Sequence, residues 1–99
     1  RRPTLFRFPG GLSDARTVAI AERLGYRVVH WRWPEGDPDP KVTGPGMVRE
    51  SMARTVPGDI LIFHINGRGV HTAEALPAII DGLSKRGYRF VLLTDYLRP

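Results

Sequence analysis

Along this chain, apolar positions follow two alternating rhythms. Short runs rich in aromatic and β-branched residues are followed by stretches whose apolar residues recur three or four apart. That alternation predicts strands and helices in turn. The first run, Thr4 to Phe8, is apolar and aromatic around Arg7 and is stopped by Pro9-Gly10-Gly11. Ser13 has the side chain of an N-cap, and Asp14 suits a first helical turn. Val18, Ala21 and Leu24 then share a helical face, with Gly25 placed as a C′ residue. A second strand is predicted from Tyr26 to about Trp33.

The stretch Pro34 to Pro45 holds prolines 34, 38, 40 and 45 and reads as a loop. A second helix is expected over Met47 to Thr55, with Val48 and Met52 on one side. Pro57-Gly58 ends it, and Ile60 to His64 follow as a near-continuous apolar run, the pattern of a parallel strand covered on both faces. After the flexible Asn66-Gly67-Arg68-Gly69, Thr72 is placed to cap a third helix with Leu76, Ile79, Ile80 and Leu83 inward. Pro77 predicts a tight first turn or a kink in that helix. Gly87 closes it, and Tyr88 to Leu93 complete the pattern as a fourth strand. The expectation is an α/β fold of four parallel strands alternating with three helices, an open sheet or half of a (β/α) barrel.

Composition narrows this picture without changing it. With 99 residues the chain is expected to be a single domain, residues 1–99. A domain this small buries only about 60–65% of its unfolded surface, so its core is marginal unless something covers it. There is no cysteine, which excludes disulfides and thiolate metal sites. No apolar run approaches the ~18–20 residues that span a bilayer, and no signal-peptide pattern is visible, so no membrane partner is expected. The net charge of +5 would suit an anionic partner, but its arginines are dispersed along the chain and no recognition motif accompanies them. Nucleic acid is therefore not expected as a partner. The start at Arg1-Arg2-Pro3, without methionine, predicts a trimmed chain or a piece of a longer one.

In parallel α/β architectures, functional groups gather at the carboxyl ends of strands. The residues expected there are Arg7 with Pro9, His30 with Trp31 and Trp33, His64 with Asn66, and Thr94 with Asp95. His64 follows four apolar residues. It reads either as an acid or base near neutral pH or as a strand end bonded to loop backbone. Arg7 interrupts an apolar strand and needs a partner, either a catalytic carboxylate or a structural one. Trp31 and Trp33 alternate to one side of a strand, to line a sugar site or to fill the core. No HxxxH or HExxH is present, so spacing points to no metal site in this chain, and neither a P-loop nor a GxSxG elbow appears.

Taken in order, Arg7-Phe8-Pro9-Gly10-Gly11, the two tryptophans, and Pro57-Gly58-Asp59-Ile60-Leu61-Ile62-Phe63-His64 carry a family pattern. His71-Thr72-Ala73-Glu74-Ala75-Leu76-Pro77 and Gly87-Tyr88-Arg89-Phe90-Val91 extend it. Over essentially its whole length the chain resembles the C-terminal half of the polysaccharide deacetylases, the NodB-homology hydrolases of carbohydrate esterase family 4. That resemblance implies removal of N- or O-acetyl groups from a glycan. It makes His64 the acid that protonates the departing group and Arg7 the partner of a catalytic-base aspartate. Pro9 would shape the groove wall, Ile62 the acetyl pocket, and Trp31 or Trp33 with Asp37 or Asp39 would support the acid histidine. Pro34-Glu35-Gly36-Asp37-Pro38 departs from the family's Asp-Trp pattern.

The family's aspartate pair and its His-x-x-x-His are absent from this sequence. The expectation is therefore a fragment, inactive alone, that would act on an acetylated polysaccharide when complemented by an N-terminal half-domain. A zinc-like divalent metal is expected only with that missing half. The alternative is a non-catalytic half-barrel that self-associates as a dimer or other homo-oligomer and binds glycans through its tryptophans.

Overall fold

The computed structural model describes residues 2–34 and 36–97. The chain forms two compact units: residues up to His30 together with those from Leu92 onward, and Trp31–Val91.

The first unit opens with a strand–helix–strand turn of chain. β1 (Leu5–Phe6) and β2 (Arg27–Val28) pair in parallel, Leu5 opposite Arg27 and Phe6 opposite Val28. The ladder is closed by Arg27 N–H to the Thr4 carbonyl and Val29 N–H to the Phe6 carbonyl, both at 2.9 Å. Between them, α1 (Ala15–Arg23) is capped by Asp14, not by Ser13 as the sequence predicted. The Asp14 carboxylate accepts from Thr17 N–H at 2.8 Å, and the Thr17 hydroxyl accepts from Asp14 N–H at 3.0 Å, a reciprocal capping box. Those bonds, led by the Thr17 N–H, hold the Asp14 carboxyl below its ordinary pKa. Gly25, at φ +92°, ends the helix where only a glycine is unstrained. Phe6 meets Phe8 edge-on at 4.9 Å, and Phe8 stacks on His30 at 6.2 Å between ring centres. A short α4 (Leu93–Tyr96) completes the unit, with the Leu97 carbonyl accepting from the Arg27 guanidinium.

The second unit is built on two packed helices. α2 (Gly44–Arg54) begins three residues earlier than the proline-rich sequence suggested. Thr43 caps it, accepting from Gly46 N–H at 3.0 Å, and Pro45 sits in the first turn, where a missing N–H costs nothing. α3 (Thr72–Lys85) runs through Pro77 as one helix. Met47 of α2 and Ala75, Ile79 and Leu83 of α3 form the buried core, with Val42, Val48, Met52, Leu61, Phe63 and Tyr88 packed against it.

The expected architecture is corrected at this point. The described residues contain two short parallel strands and four α-helices, not four parallel strands alternating with three helices, and they do not form half of a barrel. Ile60 to His64 and Tyr88 to Leu93 were expected as strands, but neither joins a ladder, and Leu93 lies in a helix. Their backbone groups are engaged otherwise. His64 N–H donates to the Asp37 carboxylate, Tyr88 N–H closes the end of α3 on the Leu83 carbonyl at 3.1 Å, and Leu92 leads into α4. The aromatic and β-branched residues reflect a half-buried surface, and burial alone does not supply a neighbouring strand.

Candidate functional site

A buried carboxylate organises the second unit around His64. Asp37 is only 2% exposed. Its Oδ1 is 2.8 Å from His64 Nδ1, and its Oδ2 accepts both the His64 backbone N–H and the Thr72 hydroxyl, the latter at 2.8 Å. The Asp37 carbonyl also accepts from Val70 N–H at 3.2 Å. One residue therefore ties down both ends of the loop from His64 to Thr72.

These contacts set the charge on Asp37. Burial alone pushes the carboxyl pKa up. The His64 N–H, the imidazole, the Thr72 hydroxyl and the charge of a protonated His64 outweigh it, leaving the pKa below the usual value. A carboxylate held ionised at Nδ1 requires a proton on that nitrogen. Nε2 is then the ring nitrogen left for a substrate, on a side chain that is about one-third exposed.

A second polar cluster anchors the start of the segment that carries His64. Arg32 Nε and Nη2 bind the two Asp59 oxygens at 2.8 and 2.7 Å, and Nη2 also donates to the Arg54 carbonyl at 2.7 Å. Val56 N–H donates to the same Asp59 carboxylate at 2.9 Å. The Arg32 bonds chiefly, against the opposing effect of burial, hold the Asp59 pKa at about 2. Such bidentate pairing fixes direction as well as charge.

The expected site residues fall in both units. Arg7 is exposed just beyond β1, and Pro9 begins a 3-10 turn over Pro9–Gly11; both belong to the first unit. Trp31, Trp33, Ile62 and His64 belong to the second. Trp31 and Ile62 are half-buried. Trp33 is 4% exposed, and the Arg54 guanidinium lies 4.5 Å over its ring. Of the two aspartates left open by the sequence, Asp37 touches His64. Asp39 is exposed and accepts from Lys41 N–H at 2.9 Å.

Thr72 was expected as the cap of α3. It is instead the first helical residue, buried and turned to Asp37, while His71 stands at the cap position without a side-chain cap bond. The sequence signal for that role was only a hydroxyl eight residues after His64.

Among the described residues no group of three or more histidine, aspartate or glutamate side chains could hold a metal ion. Asp37 already satisfies three donors, and the His71 imidazole lies 3.4 Å from Glu74. These residues do not fit the divalent metal that the resemblance implies. No helix in the described residues is long and apolar enough to cross a membrane.

A scan of protein-family models matches none over this chain. The chain is 35% identical, over 99% of its length, to a peptidoglycan-N-acetylglucosamine deacetylase of Bacillus cereus. It spans about half, 47%, of that relative's length. The likeness to a polysaccharide deacetylase thus runs over nearly the whole chain and about half of that relative.

Proposed function

We propose that this chain supplies the acid side of a glycan deacetylase, with His64 as the proton donor to the departing amine and Asp37 as the residue that orients it. The observation that carries this reading is the buried Asp37 carboxylate on His64 Nδ1. A carboxylate so placed fixes the orientation of the ring and holds a proton on Nδ1, which leaves Nε2 directed at the departing group. In the reaction proposed, water gives a proton to the catalytic base and adds to the acetyl carbon, and the C–N bond breaks. The Nε2 proton passes to the nitrogen, and acetate and a free amino sugar leave.

The catalytic base, and the groups that would hold a metal, lie outside this chain in this reading. Ile62 and Trp31, in the unit that carries His64, would contact the acetylated sugar. The chain alone is accordingly expected to be inactive, and its partner is the remaining half of a deacetylase. The Bacillus cereus relative is a peptidoglycan-N-acetylglucosamine deacetylase, which makes an N-acetylglucosamine polymer the first substrate to try.

The test is acetate release from an acetylated chito-oligosaccharide, by the chain alone and mixed with the complementary half of a related deacetylase. Activity only in the mixture, falling about 100-fold or more with His64→Ala, is the expected result. Mixed activity that survives His64→Ala would refute the role of His64. Glycan binding without acetate release in the mixture would favour the non-catalytic reading.

A further inference from the structure

The geometry points to Thr72 and Gly69 as positioning residues for His64. Thr72 pins the carboxylate that holds the imidazole, and Gly69 leaves room for the chain to pass against the backbone of His64. The positioning stands whatever the reaction; its catalytic consequence rests on the function proposed above.

Thr72 acts through the division of labour between the two Asp37 oxygens. Oδ2 takes both the Thr72 hydroxyl and the His64 backbone N–H, which turns Oδ1 toward Nδ1 of the ring. Asp37 and Thr72 are 2% and 6% exposed, so bulk water has little access to replace the hydroxyl. Without that donor one of the two restraints on Oδ2 is lost, and the carboxylate can rotate away from the imidazole.

Gly69 acts through space. A β-carbon there would lie 2.2 Å from the His64 carbonyl oxygen, 3.0 Å from its carbonyl carbon and 2.8 Å from Thr72 Oγ1. The first two are backbone atoms, which cannot swing aside as a flexible side chain would. The close approach is fixed by a turn in which Gly69 N–H donates to the Asn66 carbonyl at 2.9 Å and Arg68 N–H to Asn66 Oδ1 at 3.0 Å. Any side chain at 69 must push His64, Thr72 or both.

The direct readout is the His64 tautomer, taken from the ring nitrogen shifts of the ¹⁵N-labelled chain at a pH where the ring is neutral. The unaltered chain and Thr72→Ser are expected to carry the proton on Nδ1. Thr72→Val is expected to shift the population toward Nε2–H while the amide signals of α2 and α3 stay in place. Gly69→Ala should do the same; should it fail to fold, the Val and Ser pair at position 72 decides the matter. An Nδ1–H tautomer undisturbed in Thr72→Val would overturn the proposal.

In the complemented assay, Thr72→Val should lower kcat by about tenfold to a hundredfold with KM little changed, and Thr72→Ser should restore it. A tautomer that shifts while the rate does not would uphold the positioning and count against His64 as the acid.

Discussion

Asp37 is where sequence and chemistry meet most closely at the level of single residues. It is one carboxylate with three donors, buried in a unit whose core is small. Asp37→Asn keeps the shape but replaces charge-assisted hydrogen bonds with weaker neutral ones, and its amide N–H can meet Nδ1 only if the ring moves its proton to Nε2. A loss of about 1.5–3 kcal/mol is expected, measured by urea unfolding. Ser51 provides the contrast. It is fully buried, and its hydroxyl has no hydrogen-bond partner among the described residues. Ser51→Ala is therefore expected to be neutral or to stabilise the chain by about 1 kcal/mol in the same measurement. The sequence singled out His64 as a candidate, and the family resemblance left Asp37 or Asp39 beside it. Which aspartate touches the ring could not be read, because it depends on the turn through 37–42 that buries one and exposes the other. Thr72 was misread because a threonine before an apolar helix is the commonest local cap, and only a distant carboxylate gives its hydroxyl another use.

At the level of elements, legibility followed the range of the forces involved. Helices depend on neighbours three and four residues away, and all three long ones were readable. The errors lie at their starts, at Pro77, which α3 runs through as one helix, and at Ile80, which is exposed and not inward. The start of α2 was hidden by reading prolines only as breakers, although Pro45 behind the Thr43 cap is a favourable first-turn residue. Strands depend on a partner elsewhere in the chain. Ile60 to His64 and Tyr88 to Leu93 have the right residues and no ladder, so composition overstated them. Pro77 within α3 deprives the Ala73 carbonyl of its helical N–H partner. Replacing this exposed residue by alanine restores the donor, and Pro77→Ala is expected to stabilise the chain by about 1–3 kcal/mol, seen as a raised urea midpoint with an unchanged slope.

For the whole molecule, acid should be the more damaging side of the pH scale. Asp37 and Asp59 both have folded pKa values below their unfolded ones, Asp59 at about 2 against an ordinary 3.8. A depressed carboxylate contributes stability that is present above the unfolded value and disappears as pH falls through the folded one. Unfolding free energy should thus be steady from neutral pH down to about 5 and decline between about pH 4 and 2. Asp59→Asn should flatten part of that decline, which a denaturant series at several pH values would show. The family likeness was legible across nearly the full chain because it rests on motifs, whereas the architecture expected from the alternating strand and helix rhythm was not adopted.

The central claim is that Asp37 and His64 act as one unit in deacetylation. A double-mutant cycle on acetate release in the complemented enzyme tests it directly, comparing His64→Ala, Asp37→Ala and the double variant. If Asp37 works only through the imidazole, the double variant should be no slower than His64→Ala alone. Losses that multiply, or a His64→Ala variant as active as the unaltered chain, would contradict the account.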